Sequence, residues 1–98
     1  MSSKYRLKFV PSALKEWKKL DRPIQLQFKN KLAERLEQPH VPASQLRGFP
    51  NHYKIKLRAS GYRLVYEVND REICVIVIAV GKREKFAVYK RASGRQEK

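Results

Sequence analysis

The sequence predicts an α+β domain of order β-α-α-β-β-β, with two helices packed on one face of an antiparallel-rich sheet and a short C-terminal helical segment. Three observations predict it. Residues 53–68 alternate apolar and polar side chains at period two, which in strands sends Tyr53, Ile55, Leu57, Tyr62, Leu64, Tyr66 and Val68 to one face. Residues 13–36 place their apolar side chains at helical spacing instead. Residues 73–80 are apolar on both faces, as a central strand would be.

Residues 5–10, Tyr-Arg-Leu-Lys-Phe-Val, alternate well enough for a short strand, and Pro11-Ser12 then closes it and opens a helix. Ala13, Leu14, Trp17 and Leu20 fall on one side of that helix among Lys15, Lys18 and Lys19. Asp21 is placed to cap the next helix, with Pro23 tolerated in its first turn, and Ile24, Phe28, Leu32 and Leu36 form a single stripe. Pro39 and Pro42 end it. A loop containing Leu46-Arg47-Gly48 and Phe49-Pro50 runs to Asn51. Strands follow at 52–58, 62–69 and 72–80, the last two joined at Asn69-Asp70. After Gly81, Lys82-Arg83-Glu84-Lys85 reads as an irregular turn into a short helix bearing Phe86, Val88 and Tyr89, and residues 92–98 form a polar, fraying tail. Without repeats or a linker, residues 1–98 read as one domain. Both helices need the apolar sides of the strands, which leaves the opposite sheet face to cations.

Those cations are Lys54, Lys56, Arg58 and Arg63. A hairpin that keeps Leu57 and Leu64 on one face needs an even number of loop residues. A two-residue Ser60-Gly61 turn places Arg58 opposite Arg63, and a four-residue loop from Arg58 to Gly61 places Lys56 there instead. Like charges directly opposite one another destabilise a sheet unless an anion resolves them, so either geometry points to a polyanionic partner.

Composition agrees. The net charge is +14 and each half of the chain carries +7, a global excess that attracts phosphate backbones and weakens steeply in salt. The one cysteine, Cys74, lies in the apolar run, where a buried, inert thiol is expected; with no disulfide framework and no span of about 20 apolar residues, a cytoplasmic protein is expected. There is no Gly-rich phosphate loop and no metal-ligand spacing, so neither metal nor cofactor is expected. His40 and His52 sit among turn residues and read as solvated. No carboxylate pair suits general acid and base catalysis.

A cationic cleft with tyrosines remains. It suits phosphoryl chemistry, because fixed guanidinium groups stabilise charge developing on phosphate oxygens, and RNA supplies its own 2′-hydroxyl nucleophile. A lysine crowded by other cations releases its proton more readily than an isolated one, which makes Lys54 or Lys56 the candidate general base. Tyr53, Tyr62 and Tyr66 read as core, and Tyr89, beside Lys90 and Arg91, is freer to stack on a base. On charge and alternation alone, a non-catalytic nucleic-acid binder is the more economical reading.

One resemblance changes that balance. The string from Gln45 to Val68 (Gln-Leu-Arg-Gly-Phe-Pro-Asn-His-Tyr-Lys-Ile-Lys-Leu-Arg-Ala-Ser-Gly-Tyr-Arg-Leu-Val-Tyr-Glu-Val), then Ile-Ala-Val-Gly-Lys-Arg-Glu and Val88-Tyr89, resembles the RelE-type toxins of the RelE/ParE superfamily. The similarity starts at Ala13-Leu14-Lys15-Glu16-Trp17. It implies a microbial-ribonuclease-like fold and metal-independent cleavage of mRNA in the A site of the 70S ribosome, leaving a 2′,3′-cyclic phosphate and a 5′-hydroxyl. By motif position, Lys54 and Lys56 match active-site lysines, Arg63 the arginine that stabilises the phosphate, and Arg83 a second arginine supporting charge or the leaving group. Tyr89 matches the base-stacking tyrosine, and Arg47 a basic residue that helps to hold RNA or ribosome; Arg58 and Lys82 join it as substrate-binding candidates. Other branches place a histidine or glutamate as acid or base, which this chain lacks at the matching positions. The resemblance also implies a RelB-like antitoxin that wraps the toxin with a helix and an added segment, displacing the C-terminal helical piece, in a complex that binds operator DNA. The rivals are a ParE-like DNA gyrase poison, a passive nucleic-acid-binding protein and a ribosome-associated structural protein.

Overall fold

The computed structural model describes residues 4–82. Strand β1 (Arg6–Phe9) leads into helices α1 (Pro11–Lys18) and α2 (Arg22–Glu37), a 3-10 turn (Pro42–Ser44), and strands β2 (His52–Leu57), β3 (Tyr62–Asn69) and β4 (Cys74–Lys82). The four strands lie in the order β1-β4-β3-β2, with β1 parallel to β4 and the other pairs antiparallel. The expected order of elements is therefore present, and β4, which carries the run that is apolar on both faces, is an inner strand. The anticipated C-terminal helical segment, the tail, Arg83 and Tyr89 lie outside the described residues.

Both helices cover one face. Ala13 from α1 and Phe28 and Leu32 from α2 are buried against Tyr53, Ile55, Leu57, Leu64, Tyr66, Val68, Val75, Val77 and Val80, with Trp17, Leu20, Ile24 and Leu36 packed around them. The helical stripe and the strand alternation thus meet as the periodicities require. Asp21 does stand at the start of α2, yet its side chain makes no capping bond; Pro23 sets the helical φ there, and the Asp21 carbonyl accepts from the Gln25 N–H at 3.0 Å. Among the described residues, no helix is long and apolar enough to cross a membrane.

Two expectations need correction. The last strand spans Cys74–Lys82 instead of 72–80, because Glu72 and Ile73 belong to the turn: the Glu72 N–H bonds to Asn69 Oδ1 at 3.0 Å, and Ile73 holds φ 53°. The opposite sheet face is also not left wholly to cations. Leu46 and Phe49 fold over it and bury Val65, Ile78 and Ala79 in a second, smaller cluster. A bulge makes this possible. Val65 pairs with Ala79 but Tyr66 with Val77, so Ile78 is the extra residue and both Ile78 and Ala79 turn toward Leu46.

Past Val77, β4 outruns β1, whose last paired residue is Phe9, and α1 fills the gap: Glu16 Oε1 accepts the N–H of buried Val80 at 3.0 Å. A charge-assisted bond to a backbone donor inside a packed sheet is expensive to lose. Glu16→Ala is expected to destabilise the fold by about 1.5–3 kcal/mol in urea unfolding, and an unchanged midpoint would show that water replaces the carboxylate.

The end of α2 is tied to the sheet by a polar chain. Tyr66, fully buried, donates to the Pro39 carbonyl at 2.8 Å and accepts from Arg35 at 2.8 Å. Burial raises the Tyr66 hydroxyl pKa and Arg35 opposes the rise. Beside it His40 links Tyr53 Oη (3.1 Å) to Asp70 Oδ1 (3.0 Å), and Tyr5 donates to the same carboxylate at 2.7 Å. Bonds from His40 and then Tyr5 hold the Asp70 carboxyl below its ordinary range. His40 is consequently a bridge between Tyr53 and Asp70 while staying exposed in its loop, as its turn-rich surroundings suggested.

Candidate active site

The hairpin register decides which cations meet. Leu57 pairs with Tyr62 and Lys56 with Arg63, so the four-residue loop from Arg58 to Gly61 forms. It closes through the Gly61 N–H to the Leu57 carbonyl at 2.8 Å, with Gly61 at φ 80°, a backbone state that glycine adopts without cost from a Cβ. Lys56 and Arg63 therefore stand directly opposite each other on the face turned away from the helices. Lys54, two residues back on β2, shares that face and stands opposite Val65.

A fourth cation arrives from the loop before β2. Leu46 is buried on Val65, Ile78 and Ala79, and its N–H bonds to the His52 carbonyl at 2.9 Å, which fixes the neighbouring Arg47 over the sheet. Gly48 at φ 81° and Asn51 at φ 61° turn the chain back into β2. His52 holds the turn: its Nδ1 donates to the Pro50 carbonyl at 2.8 Å and its ring meets Phe49 edge-on, with centroids 5.7 Å apart. The reading of His52 as solvated is corrected here. It is 3% exposed and opens β2, and its Nε2 is buried without a hydrogen-bond partner among the described residues. Residue parity carried the signal, since 52, 54 and 56 share a face.

These elements enclose a cleft of about 470 Å³ lined by Gln45, Leu46, Arg47, Phe49, Lys54, Lys56 and Arg63. Of the eight residues singled out in the sequence, it unites Arg47, Lys54, Lys56 and Arg63. Arg58 lies in an adjoining hollow of about 180 Å³ at the hairpin end, which Lys56 and Arg63 also line. Lys82 goes elsewhere. It pairs with Tyr62, its Nζ lies 5.4 Å from the centre of that ring, and the β4 residue opposite Arg63 is Gly81. Alternation therefore sends Lys82 to the helix side of the sheet. Gln45 and Phe49 are wall residues that sequence reasoning treated only as loop.

Electrostatics make this a site for an anion. The Arg63 Nε is buried and, among the described residues, has no hydrogen-bond partner. Among the described residues, the ion pairs Lys8–Glu72 and His40–Asp70 involve acids from the β3–β4 turn, at the far end of β3 from Arg63. Among the described residues the lining holds no carboxylate, and cations facing each other as Lys56 and Arg63 do favour a phosphate-filled cleft over an empty one. Among the described residues, no group of His, Cys, Asp and Glu could hold a metal ion. What the described lining offers is a set of fixed side-chain cations.

Known proteins resemble this chain along most of its length. The family model of the ParE toxin of type II toxin–antitoxin systems matches residues 7–85. The mRNA interferase toxin RelE of Escherichia coli K12 is 56% identical over 88 residues, spanning 90% of this chain and 93% of that protein. A solved structure of an E. coli RelE mutant in the free state superposes with a TM-score of 0.89 at 52% identity, covering 97% of this chain and 99% of that one. The matching chain in the intact E. coli RelBE toxin–antitoxin complex gives 0.79 at 56% identity, over 82% and 98% of the two chains. With the family model spanning both helices and nearly all of the sheet, and with relatives this similar along nearly their whole length, the chain belongs to the RelE/ParE family of type II toxins, on its RelE side.

Proposed function

We propose that this protein is an endoribonuclease toxin that cuts mRNA in the ribosomal A site and is silenced by a RelB-like antitoxin. The observation that carries the reading is the pairing of Lys56 with Arg63 in a cleft that also holds Lys54 and Arg47. A strand of RNA laid there places one phosphate between the two sheet residues. Lys54 or Lys56 removes the proton of the 2′-hydroxyl, whose oxygen then attacks the adjacent phosphorus. The Arg63 guanidinium meets the charge that builds on the non-bridging oxygens, where a preorganised cation contributes most. The 5′-oxygen departs with the bond electrons and takes up a proton, leaving a 2′,3′-cyclic phosphate and a 5′-hydroxyl. Atoms balance without water or metal. Arg83 beside the leaving group and Tyr89 against a base complete the assignment by family resemblance. The ribosome contributes by presenting the linkage already bent toward in-line attack, which is why cleavage of free RNA is expected to be slow.

The test is direct: add the purified protein to programmed ribosomes and map the 5′ ends of the message. Cuts within the A-site codon support the proposal. Inhibition of gyrase supercoiling without cuts favours the gyrase poison, and protection without cutting favours a passive binder.

The charge makes a second, separate prediction. With about four phosphate contacts, affinity for an uncleavable single-stranded RNA is expected to fall about fiftyfold between about 50 and 200 mM salt. A flat salt response in a fluorescence titration would mean that the cleft cations do not contact phosphate.

A further inference from the structure

The loop at residues 45–50 forms a crest that lines two hollows. One is the cationic cleft. The other, about 640 Å³, is larger and is lined chiefly by Pro42, Gln45, Arg47, Phe49 and Pro50. Gln45, Leu46, Arg47 and Phe49 line both hollows. We infer that this second hollow is a nucleobase subsite, which receives the base of a nucleotide flanking the scissile linkage. The inference rests on the nuclease reading above and adds a site to it.

Its lining differs in kind from that of the cleft. The cleft is walled by four cations. Among the described residues, the second hollow has one cation, Arg47, one neutral amide, Gln45, and apolar surface from Phe49 and two prolines, with no acid. A site for phosphate alone would repeat the cations. A nucleobase needs a flat apolar face to lie on and a group that both donates and accepts at its edge, which a ring and an amide supply. Arg47, on the crest, is where the connecting phosphate of such a strand must pass.

The crest is also rigid. The Phe49 N–H bonds to the Leu46 carbonyl at 3.3 Å and the His52 N–H to the Phe49 carbonyl at 3.1 Å, while His52 holds the Pro50 carbonyl and Leu46 is buried beneath. The hollow is therefore formed before RNA arrives, and single-stranded RNA continuous with the cleft is the occupant its walls favour over a peptide.

The experiment uses programmed ribosomes carrying synthetic messages, each with one abasic nucleotide at a position flanking the cut. On the intact message, Phe49→Ala and Gln45→Ala are each expected to lower kcat/KM about tenfold, the usual scale of one lost base contact. On the message lacking the base that occupies the hollow, the same variants should cause no further loss. Equal losses on every message overturn the inference, as does an unchanged rate accompanied by weakened antitoxin binding. Should Phe49→Ala unfold, Phe49→Leu and Gln45→Ala complete the cycle. A wild type that cuts no message rejects the nuclease reading separately. The subsite is then decided by equilibrium binding of the same oligonucleotides: a penalty for one abasic position that disappears in Gln45→Ala retains it, and no positional penalty overturns it.

Discussion

Arg63→Ala is expected to lower cleavage on programmed ribosomes by about 10²–10³-fold, the usual consequence of removing one preorganised charge donor at a reacting centre, with the fold intact. Two features of the structure set that size. Arg63 lies on an inner strand between Lys56 and Gly81, so the β4 residue facing it has no side chain to take its place, and its buried Nε has no partner among the described residues. Stability should change little, because losing the packing of the alkyl stem is offset by relief of the facing charge. Arg63→Lys keeps the charge and loses the planar fork, so it should recover only part of the rate. Lys82→Ala is the natural control: that residue is equally close in sequence to the predicted site but lies against Tyr62 on the other face, and its loss should leave kcat near wild type. Wild-type cutting by Arg63→Ala would remove the phosphate from this cleft.

Why some of this site was legible in the sequence, and some not, follows from parity. Along β2 and β3 every even loop length preserves which residues share a face, so the gathering of Lys54, Lys56 and Arg63 was readable before the register was. The choice between Arg58 and Lys56 as the partner of Arg63 was not, since both hairpins keep the same faces and only backbone geometry at Gly61 separates them. Parity carried His52 as well, although its turn-rich flank suggested solvent. Within β4 it failed. A strand apolar on both faces has no alternation to read, so neither the bulge at Ile78 nor the parallel pairing with β1 left a mark. Gly81 read as a terminator, which detached Lys82 from the strand whose alternation turns it away from the cleft. Phe49 and Gln45 were invisible for another reason: a loop residue becomes a wall only when buried neighbours such as Leu46 pin it, and that contact spans the gap from the loop to β3 and β4.

Lys56→Gln is expected to move activity and stability in opposite directions. Cleavage should drop by about 10²–10⁴-fold, as befits loss of a group that transfers a proton or holds the phosphate. Unfolding should meanwhile need more heat. Lys56 and Arg63 are directly opposed in an antiparallel pair, and like charges so placed cost about 0.2–1 kcal/mol, which the neutral amide relieves. For a chain of this size, half a kcal/mol corresponds to about 2–4 °C in Tm. Lys54→Gln separates the two effects. Lys54 stands opposite Val65, so its removal should also depress cleavage yet bring no comparable gain in Tm. The gain from Lys56→Gln must further shrink as salt screens the exposed lysine, over the same range in which RNA binding weakens. A folded state held back by its own working charges is what this register implies. If Lys56→Gln melts lower than wild type at low salt, the two cations are not in conflict, and the argument that an anion completes this cleft loses its energetic basis.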